Sequence, residues 1–108
     1  CHCGQCRRGQ GVGFVTNSPI ERARFKLLAG AELMREYRAS PLKLRAFCAQ
    51  CGSPLYSARD DLPETIRLRL GTVTTPFSCE RRYHIFVESK ADWVTISDGY
   101  PQFARMKP

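Results

Sequence analysis

The clearest alternation of hydrophobic and polar positions along this chain lies in residues 65–72. Ile66, Leu68 and Leu70 alternate there with Arg67 and Arg69. Side chains of a strand point alternately to its two faces, so this spacing predicts a half-buried strand. The three aliphatic side chains are expected on the inner face, with the two arginines on the outer face.

Other short apolar segments also predict strands, and they cover residues 24–28, 32–37, 54–57 and 83–88. In the second of these, Leu33, Met34 and Tyr37 also have helical spacing, but the strand-rich surroundings favour a strand. Proline, glycine and aspartate predict turns at residues 17–19, 60–63 and 98–101. Phe86 and Trp93 are expected in the core. Short strands joined by such turns indicate a mainly β fold.

The length of 108 residues indicates one domain spanning residues 1–108. A hydrophobic fraction of 43% and a charged fraction of 25% are typical of a globular protein. No apolar segment approaches the ~20 residues that cross a membrane, so no membrane partner is expected.

The formal net charge of +7 arises from 17 Lys and Arg against 10 Asp and Glu. Such a balance favours anionic partners, either nucleic acid or small carboxylates. The arginines are scattered along the chain and form no long run. Most of them are therefore expected on a solvated face, which makes nucleic acid the less favoured partner.

Three of the six cysteines lie within the first six residues, at Cys1, Cys3 and Cys6. Zinc holds its sulfur ligands at about 2.3 Å, so closely spaced cysteines are typical of a zinc site. A C-x-C pair places both sulfurs on one face of an extended segment, and His2 between them points away. Gly4 is expected to let the backbone fold back so that Cys6 joins the pair.

A second pair, Cys48 and Cys51, is followed by Gly52, whose freedom to adopt a positive φ suits the turn of a zinc knuckle. Disulfides belong to oxidising compartments. A thioredoxin-like redox pair should open a helix, which Ser53-Pro54 disfavours. Zinc binding is therefore the favoured interpretation of both clusters. Free thiols that bind metal indicate a reducing compartment, and a cytoplasmic location is expected. Cys79 has no thiol near it in sequence and is expected to be free.

Several motifs now fall into one order: Cys-His-Cys-x-x-Cys-Arg, Arg-x-Phe-Cys-x-x-Cys-Gly-Ser-Pro-Leu, Leu-Gly-Thr, His-Ile-Phe-Val-x-Ser-Lys and Trp…Asp-Gly-Tyr-Pro. With them the chain from Cys1 to about Phe103 resembles the glutathione-dependent formaldehyde-activating enzyme family, which includes centromere protein V. The resemblance implies a zinc-binding β-tent of short coiled antiparallel sheets.

The resemblance also implies two zinc sites. Cys1, Cys3 and Cys6 would form one of them. Cys48 and Cys51 would form the other together with a C-x-C pair on a strand upstream of residue 1. The chain is therefore expected to be an N-terminally incomplete form of the family domain.

Three thiolates on zinc leave a fourth position that suits a soft ligand such as a thiol. Glutathione has one thiol and two carboxylates, and Arg7, Arg8 and Arg45 are candidates to bind those carboxylates in a bidentate manner. With the resemblance, this predicts a carbon–sulfur lyase-type enzyme that converts glutathione and formaldehyde to S-hydroxymethylglutathione, or acts on a related thiol and aldehyde. The alternatives are a basic zinc module that contacts nucleic acid and a structural zinc domain without catalysis. His84 is expected to be packed and hydrogen-bonded rather than a catalytic base.

Overall fold

The computed structural model describes every residue from 1 to 108. The backbone forms two units. The sheet unit is Asn17–Thr74, and the terminal unit combines Cys1–Thr16 with Thr75–Pro108. The prediction of a mainly β protein is confirmed, because the largest element is one antiparallel sheet.

The sheet unit contains five strands: β1 (Asn17–Glu21), β2 (Met34–Ser40), β3 (Lys43–Cys48), β4 (Pro54–Arg59) and β5 (Thr65–Arg69). Their spatial order is β1-β5-β4-β3-β2, and each neighbouring pair is antiparallel. Strands β2 to β5 follow one another as a meander, and β1 pairs with β5 at one edge. The finer features of a β-tent stay a prediction.

The core of the sheet unit lies on one face of the sheet, where Ala46, Tyr56, Ala58 and Ile66 are buried. Phe25 packs edge-on against Tyr56, with the ring centroids 5.3 Å apart. The two alanines come from adjacent strands, since Tyr56 pairs with Ala46 and Ala58 pairs with Ile66. Small side chains at these positions leave room for the two aromatic rings.

The strand predicted from the alternation of residues 65–72 is present as β5, followed by a 3₁₀ helix at Leu70–Thr72. Ile66 is buried as expected, whereas Leu68 and Leu70 are half-buried. Arg69 was expected on an exposed face and is instead only 3% exposed. Alternation identifies a strand and its two faces, but it does not report whether the polar face is covered.

Two other predictions for the sheet unit were wrong. Residues 17–19 form part of β1 rather than a turn, and Pro19 is tolerated there because β1 is an edge strand. Residues 24–28 form no strand: a 3₁₀ helix covers Arg22–Arg24, and Leu28 is 91% exposed. Residues 32–37 are mostly strand, since β2 begins at Met34 after a 3₁₀ turn.

The terminal unit contains the one α-helix, α1 (Gly4–Gln10), and a 3₁₀ helix at Val87–Ser89. The strand predicted at residues 83–88 is wrong, since His84 makes a single bridge to Gln102. Phe86 then adopts φ 56°, which ends the extended conformation. Phe86 is half-buried, and Trp93 is 76% exposed rather than in a core.

The helices of this protein lack the length and the apolar character that a membrane-spanning helix needs.

Candidate metal centre

Residues 1–3 are hydrogen-bonded along both sides within the terminal unit. On one side the Cys1 amino group donates to the Val15 carbonyl at 2.7 Å, and the Val15 N–H donates back to the Cys1 carbonyl at 3.0 Å. On the other side the His2 N–H donates to the Ile85 carbonyl at 3.0 Å. These bonds hold the segment extended, so Cys1 and Cys3 lie on the face opposite His2.

Cys6 reaches the other two sulfurs because α1 begins immediately after Cys3. Cys3 is the N-cap residue of this helix, and its Sγ accepts a hydrogen bond from the Cys6 N–H at 3.3 Å. The sulfur thus takes the place of the side-chain oxygen that commonly caps a helix. The chain folds back at Gly4 as expected, and it does so through the first turn of α1 rather than through a positive φ.

The three sulfur atoms of Cys1, Cys3 and Cys6 all lie within 4.8 Å of one another. A tetrahedral zinc ion with bonds of about 2.3 Å places its sulfurs about 3.8 Å apart. Small side-chain rotations would therefore bring the three donors to one ion. Cys6 is 3% exposed, and the other two cysteines are half-buried. Three thiols in this arrangement fit a soft divalent metal ion and leave room for a fourth ligand.

Behind the cysteines, two histidines and a carboxylate form a chain of hydrogen bonds. His2 Nε2 lies 2.9 Å from His84 Nδ1, and His84 Nε2 lies 2.8 Å from Asp98 Oδ2. The ring of Phe14 packs against both imidazoles, at 4.9 and 5.9 Å between centroids. His2 is fully buried, and burial is the main reason that its pKa is lowered to about 4. His2 is therefore neutral at pH 7.

Sequence reasoning predicted that His2 points away from the cysteines and that His84 is packed and hydrogen-bonded, and it missed their contact with each other and with Asp98. His84 is packed and hydrogen-bonded as expected, since it is 8% exposed and both of its ring nitrogens take part in hydrogen bonds. The two histidines are 82 positions apart, so no local pattern could pair them. The one signal available in the sequence was that His2 lies on the face opposite the cysteines. A polar side chain buried on that face needs a hydrogen-bond partner.

The second cysteine pair forms the predicted knuckle in the sheet unit. Gly52 has φ 79°, and its N–H donates to the Cys48 carbonyl at 2.7 Å. Cys51 is exposed, and its Sγ lies 3.2 Å from Ser53 Oγ. Hydrogen bonds with the Ser53 side chain and backbone, and then with Cys48, lower the pKa of the Cys51 thiol. The knuckle offers two sulfur donors.

A sequence model of the family described as glutathione-dependent formaldehyde-activating enzyme matches residues 1–89. The chain belongs to this family. A protein of Halomonas elongata, whose name assigns it provisionally to the same activity, is 28% identical over 116 residues. That match covers 94% of this chain and 73% of the relative. The resemblance inferred from the motifs is thereby confirmed.

The arginines proposed as substrate contacts differ in their surroundings in this member of the glutathione-dependent formaldehyde-activating enzyme family. Arg7 donates from Nε to the His2 carbonyl at 3.3 Å and from Nη2 to the Ser89 carbonyl at 3.2 Å. Arg8 is exposed, and its Nη1 lies 2.8 Å from where a Cβ at Gly4 would be. Arg45 lies in the sheet unit, on β3, and is half-buried.

Proposed function

We propose that this chain binds zinc through Cys1, Cys3 and Cys6 and catalyses the addition of the glutathione thiol to formaldehyde, a carbon–sulfur lyase reaction run in reverse. A related thiol and aldehyde pair would require the same chemistry. The observation that carries the proposal is the group of three sulfurs within 4.8 Å of one another, in a chain that belongs to this family.

The reaction needs one thiol and one carbonyl group to meet in a defined orientation. A carbon–sulfur bond forms, the π bond of the carbonyl breaks, and the thiol proton ends on the former carbonyl oxygen. Zinc, when bound, supplies a Lewis acid that favours the thiolate form of a thiol. Cys1, Cys3 and Cys6 would hold the ion, and a fourth ligand position would remain for the substrate.

Residues around the cysteines prepare the site before any substrate arrives. The Cys6 N–H donates to Cys3 Sγ, which fixes the position of this sulfur at the start of α1. Two hydrogen bonds of Arg7 reach backbone carbonyls, so Arg7 orients α1 against its neighbours. Arg8 is the exposed arginine of this helix, and we assign it the larger share of carboxylate binding.

Cys48 and Cys51 provide two donors of a second zinc site in this proposal. Four sulfur ligands are typical of a structural zinc site, so the knuckle needs two more donors to complete it. Arg45 precedes the knuckle on β3 of the sheet unit, and its contact with a substrate carboxylate stays a prediction from the sequence.

The proposal is tested by titrating zinc-loaded protein with glutathione and with S-methylglutathione in a calorimeter. Only the free thiol can become a thiolate ligand, so glutathione should bind at least about tenfold more tightly, or about 1.4 kcal/mol. Equal affinities would exclude thiol ligation. A chelator should abolish the difference, and the rate of S-hydroxymethylglutathione formation should then fall to that without protein.

Replacement of single arginines tests the carboxylate contacts in the same titration. Arg8→Lys should weaken glutathione binding, because lysine keeps the charge but cannot bind a carboxylate in a bidentate manner. Arg24→Lys is the matched control, since Arg24 is an exposed arginine in the sheet unit. Binding of nucleic acid would instead weaken steeply with salt and be indifferent to the thiol.

A further inference from the structure

The hydrogen-bond chain of His2, His84 and Asp98, here called the histidine chain, ends at a carboxylate that no proposed metal or substrate contact uses. We propose that Asp98 is a positioning residue for the metal centre: through His84 and His2 it holds Cys1 and Cys3 in the orientation that one metal ion requires. This inference rests on the proposed metal site, and it adds to that site a residue far away in sequence.

The histidine chain runs from the interior of the terminal unit to its surface. His2 is fully buried and His84 is 8% exposed, whereas the Asp98 side chain is 41% exposed. The two hydrogen bonds measure 2.9 and 2.8 Å, which is ideal for charge-assisted or neutral bonds of this type. Asp98 is itself fixed, because the Tyr100 N–H donates to its Oδ1 at 3.0 Å.

Asp98 sets the direction of both hydrogen bonds. An ionised carboxylate only accepts, so His84 Nε2 must carry a proton and donate it toward Asp98. A neutral His84 then has a lone pair on Nδ1, and His2 Nε2 must donate to it. Removal of the carboxylate removes this preference, and His84 can take the other tautomer, in which the bond to His2 no longer forms in the same direction.

His2 transmits this constraint because it lies between two proposed ligands. Its side chain and those of Cys1 and Cys3 project from opposite faces of one extended segment, so rotation of the segment about its axis moves all three. Backbone bonds to Val15 and Ile85 hold the segment at its edges. The histidine chain and the packing of Phe14 hold it from the back.

Partners that orient a metal ligand typically contribute 10- to about 100-fold in metal affinity. Such partners usually contact a ligand directly. Here the contact is made to the residue between two ligands, and a loss within the same range is expected.

A purely structural role for Asp98 is the competing explanation, and a carboxylate in the same unit provides the control. Glu88 accepts a hydrogen bond from Arg105 Nε at 2.9 Å, and its side chain is 47% exposed. Glu88→Ala removes a carboxylate of similar exposure without touching the histidine chain. Loss of fold stability alone would lower the free energy of unfolding and leave the zinc affinity of the folded protein unchanged.

The experiment measures zinc affinity of the full chain by competition with a chromophoric chelator, and the ligand-field spectrum of the cobalt(II) form. Asp98→Ala should bind zinc about 10- to 100-fold more weakly and shift the cobalt bands. Asp98→Asn keeps an oxygen that accepts from His84 and should recover most of the affinity. Glu88→Ala should match the wild-type protein in zinc affinity and in the cobalt(II) spectrum.

Nitrogen-15 NMR of the histidine rings provides a readout without metal. In the metal-free wild-type protein, His2 and His84 should both carry the ring proton on Nε2. In Asp98→Ala this preference for one tautomer should be lost. If Asp98→Ala does not fold, Asp98→Glu keeps the charge on a longer side chain and should still weaken zinc binding.

The outcomes separate the two proposals. A folded Asp98→Ala variant with unchanged zinc affinity and an unchanged cobalt spectrum overturns the positioning role and leaves the metal site intact. If the wild-type protein does not bind zinc at the three cysteines, the metal site and the positioning role are overturned together. Histidine protons found on Nδ1 overturn the histidine chain, and the positioning role with it, and leave the metal site intact.

Discussion

The two cysteine clusters of this protein are built by different local structures. In the terminal unit an extended segment and the first turn of α1 bring together Cys1, Cys3 and Cys6. In the sheet unit a tight turn with Gly52 at φ 79° brings together Cys48 and Cys51. The first arrangement yields three donors and the second yields two.

The two clusters also differ in burial, and the cluster with three donors is the more buried one. Cys6 is 3% exposed, and His2 behind the cluster is fully buried. Cys51 is exposed and interacts with Ser53. Three donors with a buried back can hold an ion while one position stays open, whereas a two-donor turn at the surface needs further ligands. We therefore expect metal affinity to reside mainly in the terminal unit.

The largest effect is expected from removing one thiol of each cluster. Cys6→Ser should lower the affinity for cobalt(II) or zinc by more than about 100-fold. Loss of a residue that only orients a ligand costs up to about 100-fold, and this substitution removes a proposed ligand itself. Cys51→Ser should leave the tighter site unchanged. Thiolate-to-cobalt absorption during a metal titration measures both, and equal losses from the two variants would contradict the assignment of the stronger site.

A smaller effect distinguishes the glycines of the two clusters. Gly52→Ala should destabilise the fold by about 1–2 kcal/mol, because alanine is strained at a positive φ. Gly4→Ala should change the free energy of unfolding by less than about 0.5 kcal/mol, since Gly4 is helical and the nearest atom to a new Cβ is the mobile end of Arg8.

Urea unfolding measures the stability of both glycine variants. Gly71→Ala is the control, because Gly71 has no positive φ and no atom within 4 Å of a new Cβ. A cost at Gly4 as large as that at Gly52 would show that the two turns depend on glycine in the same way.

Sequence reasoning located the strands whose pattern is local and missed those that depend on distant partners. Residues 54–57 and most of 65–72 are strands as predicted. Residues 24–28 are equally apolar but pair with no strand, and Leu28 is 91% exposed. Residues 17–19 looked like a turn because of Pro19, yet β5 offers them a partner.

The same distinction holds for the candidate site. Spacing alone grouped Cys1, Cys3 and Cys6, because thiols within a stretch of six residues are brought together by one short segment. Asp98 was interpreted only as part of a turn, and its contact with His84 spans 14 positions. The left-handed conformation of Phe86 is equally invisible in the sequence, since a bulky residue seldom adopts it.

The smallest expected effect compares one carboxylate from each unit under acid. Asp98 has a lowered pKa because the Tyr100 N–H and then His84 donate to it, and Asp61 in the sheet unit has a lowered pKa because Arg59 donates to it. A carboxyl with a lowered folded pKa contributes stability above its ordinary value, 3.8, and loses that contribution as pH falls through the lowered value.

The difference in free energy of unfolding between the metal-free wild-type protein and Asp98→Ala should therefore be constant near neutral pH and shrink below about pH 4. The difference for Asp61→Ala should shrink over the same interval. Urea unfolding of the three proteins at a series of pH values measures both. A difference for Asp98→Ala that grows on acidification would mean that the protonated carboxyl, not the carboxylate, is the form that stabilises the histidine chain.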